Sequence, residues 1–215
     1  MIDLHTHTFF SDGILIPSEL VYTAKQKGYT AMAITDHIDF SNMDFVIPRI
    51  VKVVKMLSQS YDIKVLPGAE LTYVPPKLIK DAAAQCRELG AKVIVVHGQT
   101  VAESVPPETN FYAVNADIDI LAHPGILSRE VAEIAAARDI KIEITTRKHH
   151  SVANKEVAAT ALEAKSKLIL DTDTHTPENL MSKELIIKTL SQAGLPAEYF
   201  EIMQKHSLEI ISKYE

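Results

Sequence analysis

Short apolar runs rich in β-branched residues recur along this chain at 2–5, 31–35, 64–67, 92–96, 119–122, 141–145 and 167–170. Such runs read as strands, and apolar residues spaced three or four apart read as helices. Helical spacing occupies 18–27, 46–60, 77–89, 128–138 and 152–165, and two further stretches, 177–193 and 197–213, close the chain. Strand-then-helix units in this order predict a parallel sheet, because parallel neighbours need a crossover connection. An open doubly wound sheet meets that requirement. The strand count and the chemistry below favour an α/β fold closed, or nearly closed, into a barrel. The segment 101–114, with Pro106-Pro107, is less regular.

Local punctuation agrees with this division. Pro17-Ser18-Glu19 and Thr176-Pro177-Glu178 suit helix N-termini, and Gly28 and Gly90 stand where left-handed C-terminal caps are expected. The 215 residues are 47% apolar, enough to bury the core of one domain spanning 1–215. The chain shows neither an apolar run of about 18 residues nor a basic opening followed by an apolar stretch. No membrane segment, no signal peptide and a cytoplasmic location are therefore expected. Cys86, alone of its kind, has no intrachain disulfide partner and sits among helix formers as a packing residue.

The strand ends carry the chemistry. The first run leads into His5-Thr6-His7 and Ser11-Asp12-Gly13, the second ends Thr35-Asp36-His37, and the third leads to Gly68-Ala69-Glu70. The remaining four lead to His97-Gly98, His123-Pro124-Gly125, Arg147-Lys148-His149-His150 and Asp171-Thr172-Asp173-Thr174-His175. Of the nine histidines only His206 falls in a helical stretch. In parallel barrels the C-terminal edge gathers such residues around one mouth. Strand alternation refines the picture. With Ile2 and Leu4 facing the helices, Asp3, His5 and His7 share the inner direction. With Ile142 and Ile144 outward, Glu143 and Thr145 turn in, and Asp171 and Asp173 fall together.

Imidazole and carboxylate donors without thiolate suit zinc, manganese or iron. His5, His7, Asp12, His37, Glu70, His97, His123, Asp173 and His175 are too many for one ion, so two or three divalent ions sharing a carboxylate are expected. Asp3 and Glu143 either orient ligands or serve as buried hydrogen-bonded structure. Asp36, beside His37, is expected to brace a turn or a ligand.

In this order and spacing, from Asp3-Leu4-His5-Thr6-His7-Thr8 to Asp173-Thr174-His175, the chain resembles the polymerase-and-histidinol-phosphatase (PHP) family, in its stand-alone histidinol-phosphatase-like branch. The resemblance implies a distorted (β/α)7 barrel and a trinuclear site. His5, His7, Glu70 and Asp173 would hold one ion. Glu70, His97 and His123 would hold the second, and Asp12, His37 and His175 the third. Some members have histidine in place of Asp12, so the third site is harder in character here. The reaction implied is hydrolysis of a small phosphorylated substrate of the histidinol-phosphate type. Arg147 and Lys148 are expected to contact phosphate, and His149 or His150 to protonate the leaving group.

Three other readings compete. A nuclease or nucleotide phosphatase would want a basic track to the site. The net charge of −6 and the absence of tryptophan argue against extended nucleic acid. A non-catalytic metal-binding regulatory domain would have lost ligands, and none is missing. An amidohydrolase barrel would want a bridging lysine where Glu70 stands.

Overall fold

The computed structural model describes residues 1–214. The strands are β1 Ile2–Asp3, β2 Ala31–Ile34, β3 His37–Ile38, β4 Lys64–Leu71, β5 Val93–Gln99, β6 Ile120–Gly125, β7 Lys141–Thr145 and β8 Leu168–Asp171. The α-helices are α1 Pro17–Gln26, α2 Met43–Tyr61, α3 Ile79–Glu88, α4 Thr109–Val114, α5 Arg129–Ala137, α6 Asn154–Glu163, α7 Lys183–Gln192 and α8 Tyr199–Ser212. Seven strands pair in parallel in the order β1-β2-β4-β5-β6-β7-β8. A bridge between Thr6 and Thr174, with the His7 N–H donating to the Thr174 carbonyl at 2.8 Å, brings the two ends of that path together. The result is a near-closed barrel ringed by helices.

The expected second strand is interrupted. It stops at Ile34, and β3 resumes on β4 with His37 in register with Glu70. The break sets a histidine beside the carboxylate at the barrel's centre. Asp36, in the break, accepts from the Thr8 N–H (2.7 Å) and from the Thr8 and Ser11 hydroxyls (2.8 and 2.9 Å), bracing the loop that carries Asp12.

Two apolar layers form. Met32, Ile34, Val65, Ile94, Leu121 and Ile142 pack outward with the helices. Ala33, Leu66, Val95, Ile120 and Ile169 fill the barrel, joined from below by Ile210 and Ile211 of α8. Ile2 and Leu4 belong to this inner layer, which corrects the expectation for the first strand. Asp3, in register with outward Met32, accepts from the Thr172 hydroxyl at 2.6 Å. His5 and His7 still reach the mouth because the regular strand ends at Asp3.

The seam between β1 and β8 is held by side chains instead of a backbone ladder. The Leu4 N–H donates to Asp171 Oδ1 at 2.7 Å. Gln204 of α8 takes the Ile2 N–H at 2.7 Å and returns a bond to its carbonyl at 3.0 Å. His206 bonds the Leu168 carbonyl at 2.7 Å, so this histidine serves packing. At the other end, Gly98 and Gly125 let β5 and β6 close tightly. A Cβ on Gly125, whose φ is +62°, would lie 2.0 Å from the Gln99 carbonyl oxygen. Among the described residues, no helix is long and apolar enough to cross a membrane.

Candidate metal centre

All nine predicted ligands meet at the barrel mouth. Glu70 stands in the middle, fully buried, and five histidines approach it. Its Oε1 lies 3.2 Å from His5 Nε2, 3.3 Å from His97 Nδ1 and 3.9 Å from His123 Nε2. Its Oε2 lies 2.6 Å from His37 Nδ1 and 3.6 Å from His7 Nε2. Asp173 Oδ1 reaches His7 Nε2 at 3.1 Å and His5 Nε2 at 3.9 Å. Nearer solvent, Asp12 Oδ1 lies 3.0 Å from His175 Nε2, 3.5 Å from His37 Nε2 and 3.9 Å from His7 Nδ1. His123 escapes the alternation that would turn it away from the site, because its backbone kinks to a φ of +27° directly after inward Ala122.

Charge is distributed unevenly over these groups. Burial opposes a charge on His5, yet Glu143 and Glu70 outweigh it and hold His5 well above the ordinary histidine value. Burial likewise opposes the raising of His37, but Glu70 and Asp12 carry it up to about 10. Burial, then the neighbouring His37 charge, pushes His7 down to about 3. Burial and His97 hold His123 well below its ordinary value. Glu70 stays well below the carboxylate range because His5 and His37 overcome its desolvation.

The donor set fits cations. His5 Nε2, His7 Nε2, Glu70 Oε1, His97 Nε2 and His123 Nδ1 are buried and hydrogen-bond nothing. Buried polar atoms left in that state are costly unless something satisfies them. Ligand atoms converge within 4.8 Å in several sets, among them His5–His7–Asp173, His37–Glu70–His97 and His7–Asp12–His37–His175. These clusters can hold two to three divalent ions.

The loop after β7 divides the remaining candidates. Arg147 lies across the ligands, its Nε 3.3 Å from Asp173 Oδ2 and its Nη1 2.7 Å from His175 Nδ1. Lys148 and His149 are exposed and line a neighbouring cavity of about 290 Å³ with Thr146, Arg147, Thr172 and Asn179. His150 is the buried member of the pair. Its Nδ1 is 3.0 Å from the Thr100 hydroxyl, its Nε2 is 3.8 Å from Asp173 Oδ2, and its ring centroid is 4.4 Å from that of His123. Burial pushes it down to about 4. Sequence position offered His149 or His150, and the short 3-10 turn Ser151–Ala153 that follows turns the second histidine inward. Glu143, whose role the sequence left open, lies beneath the centre at 2.6 Å from His5 Nδ1.

A near-closed parallel barrel with a buried histidine–carboxylate cluster at its mouth defines a metal-dependent hydrolase. The PHP-domain family model matches residues 3–181, and the chain belongs to that family, whose chemistry here is metal-dependent hydrolysis of a phosphate ester. An uncharacterised protein of Methanocaldococcus jannaschii is 46% identical over 93% of this chain and 92% of its own length. A probable phosphatase of Proteus mirabilis is 29% identical over 92% of this chain and 87% of its own. The fold matches histidinol phosphate phosphatase of Lactococcus lactis, solved with zinc, L-histidinol and phosphate, with a TM-score of 0.67. That match has 16% identity and covers 95% of this chain and 93% of the other.

A chain in the structure of archaeal ribonuclease P with mature tRNA matches with a TM-score of 0.75 at 17% identity, covering 99% of this chain and 90% of that one. This finding overturns the exclusion of extended nucleic acid. The fold occurs in an RNA-containing assembly, so a net negative charge and a lack of tryptophan do not bar such a partner.

Proposed function

We propose that the protein is a phosphatase acting on a small phosphomonoester, with the nine converging residues as its metal ligands. The observation that carries this reading is Glu70, buried and approached by five histidines within 4 Å. His5, His7, Glu70 and Asp173 would hold one ion, Glu70, His97 and His123 a second, and Asp12, His37 and His175 a third. Zinc, manganese or iron suits the first two sets, and Asp12 makes the third more tolerant of harder ions.

When bound, the ions supply Lewis acidity, lowering the pKa of water and neutralising phosphoryl charge. The chain's own residues do the rest. Glu70 ties the two inner ligand sets together. Arg147, already braced on Asp173, offers guanidinium donors to a phosphoryl oxygen beside the ligands. His150, anchored by Thr100, presents its Nε2 toward the same region and is better placed than His149 to meet the leaving group. Lys148 and His149 supply positive charge to the cavity alongside. The name of the Proteus relative and the ligand in the Lactococcus structure support a phosphomonoester.

The test is hydrolysis of p-nitrophenyl phosphate by chelated protein, with manganese, zinc or iron added back, alongside His5→Ala/His7→Ala. A single-stranded RNA oligonucleotide is assayed in parallel. Metal-restored activity on the monoester, absent from the variant, is expected. Turnover of the oligonucleotide alone would replace the monoester with a phosphodiester, and inactivity with every metal would overturn the reading.

A further inference from the structure

We infer that Glu143 is a positioning residue that sets the ring orientation of two histidines at once and so links the occupancy of two ions. The inference rests on the ligand assignment above. Glu143 projects from β7 into the barrel, fully buried, directly under the centre. Its Oε2 is 2.6 Å from His5 Nδ1, and its Oε1 is 3.4 Å from His123 Nδ1. His123 Nδ1 and Glu143 Oε1 are both buried and without a hydrogen bond, so at 3.4 Å each is the other's available partner. The opposite edges of the same rings face Glu70, at 3.2 and 3.9 Å from their Nε2 atoms. The two imidazoles lie nearly parallel, 26° apart with centroids 5.6 Å from each other. Glu70, His5, Glu143 and His123 thus form a closed ring of side chains.

Glu143 is a partner of the ligands and not a ligand itself. Two ligands on one tetrahedral ion stand about 3.3 Å apart when each bond is about 2.0–2.1 Å. The 2.6 Å contact with His5 is a hydrogen bond, too short for a shared ion. The carboxylate has two acceptor oxygens, and each takes the Nδ1–H of one ring. That choice leaves both Nε2 lone pairs directed at the centre, as metal ligation requires. His5 belongs to the first ligand set and His123 to the second, so one side chain prepares both. An ion bound by His5 fixes its proton on Nδ1 and fixes the carboxylate with it. His123 is then already oriented for the second ion. The Asp12–His37–His175 set has no contact with Glu143 and meets the inner sets through His37 on Glu70 and Asp12 beside His7.

Glu143→Gln tests this at constant volume. An amide offers one acceptor and one donor, so only one ring keeps its proton on Nδ1. The other must move its proton to Nε2, the atom that faces the metal. Zinc loading of chelated protein is followed by native mass spectrometry with a competing chelator. In the wild type, the first two inner-site ions enter together, with little one-ion protein. In Glu143→Gln, a one-ion species accumulates and affinity for one inner ion falls on the order of 10–100-fold. Retention of the third ion and of a wild-type metal-free circular dichroism spectrum separates positioning from a fold defect.

Identical loading in both proteins would overturn the inference, as would a uniform loss of all three ions. Failure of the wild type to bind zinc, manganese or iron would instead overturn the metal reading itself, and the inference with it. Should the variant not fold, histidine ¹H–¹⁵N spectra of zinc-loaded wild type decide the matter. Both His5 and His123 protonated on Nδ1 is the expected result, and either ring protonated on Nε2 is the contrary one.

Discussion

Loading the metal centre should release protons, and the structure points to the rings that carry them. His37 is pushed up to about 10 and is cationic in chelated protein at pH 7.5, while His5 and His97 are also raised above the ordinary histidine value. His7, at about 3, and His123, well below its ordinary value, are already neutral and release nothing. The Nε2 atoms of His5 and His37, which face Glu70 and Asp12, must surrender their protons before they can ligate. Full loading therefore releases at least the His37 proton, with His5 and His97, both raised above the ordinary histidine value, adding to the release. Each released proton makes apparent affinity rise about tenfold per pH unit, so the His37 proton alone strengthens loading about tenfold per unit from pH 7 to 9. Isothermal titration with zinc in three buffers of different ionisation enthalpy measures the release directly. Heats that do not vary with the buffer would refute the reasoning, because the raised rings would then be neutral before the metal arrives.

The same groups set the stability of chelated protein. The folded values of His5 and His37 both exceed the unfolded value near 6.5, so each contribution is complete below that pH and is lost as pH rises through the folded value, which for His37 is about 10. Urea melts of chelated protein should show stability falling between pH 7 and 9 by about 1.4 kcal/mol per unit from the His37 ring, with His5 adding to the decline, and zinc-loaded protein should lack that decline. Arg147→Lys keeps the charge but loses the fork spanning Asp173 and His175, and should lower kcat/KM for p-nitrophenyl phosphate on the order of tenfold. Unchanged steady-state kinetics would remove Arg147 from the mechanism. Gly125→Ala forces a Cβ onto the Gln99 carbonyl in a left-handed backbone and should cost about 3 kcal/mol or more in a urea melt. A loss below about 1 kcal/mol would show that β5 and β6 can separate at little cost.

The converging cluster was legible in the sequence because each of its residues depends on a local fact. A strand-like run ends, and the next side chains stand at the barrel mouth whatever the rest of the chain does. His97 and His175 needed only that, while His123 needed the kink at its own backbone as well. The same local rule failed where regularity broke. Alternation turned Asp3 inward with His5, but β1 ends at Asp3, and Asp3 faces out beside Thr172. The His37 strand looked like the end of β2, and only pairing with β4 shows why it stands level with Glu70. His149 and His150 are equivalent as letters, and the 3-10 turn behind them buries one and exposes the other.

What the sequence left undecided was consistently a residue whose role another element assigns. Gln204 reads as an exposed helix position until its amide is seen completing the backbone bonds of Ile2, 202 residues away. Glu143 reads as an inward strand residue until two histidines from other strands are seen to share its carboxylate. The barrel explains both. A closed sheet of short strands has a seam that backbone alone does not join, and α8 supplies the missing partners there. A centre built from strand ends has ligands with few neighbours on their own strands, so their orientation must come from across the barrel. Glu143 lies under His5 and His123, where one carboxylate reaches both rings. The ligands are therefore a property of the strand ends, while their alignment is a property of the closed barrel. A substitution at Glu143 should accordingly disturb metal binding while leaving the ligands themselves intact.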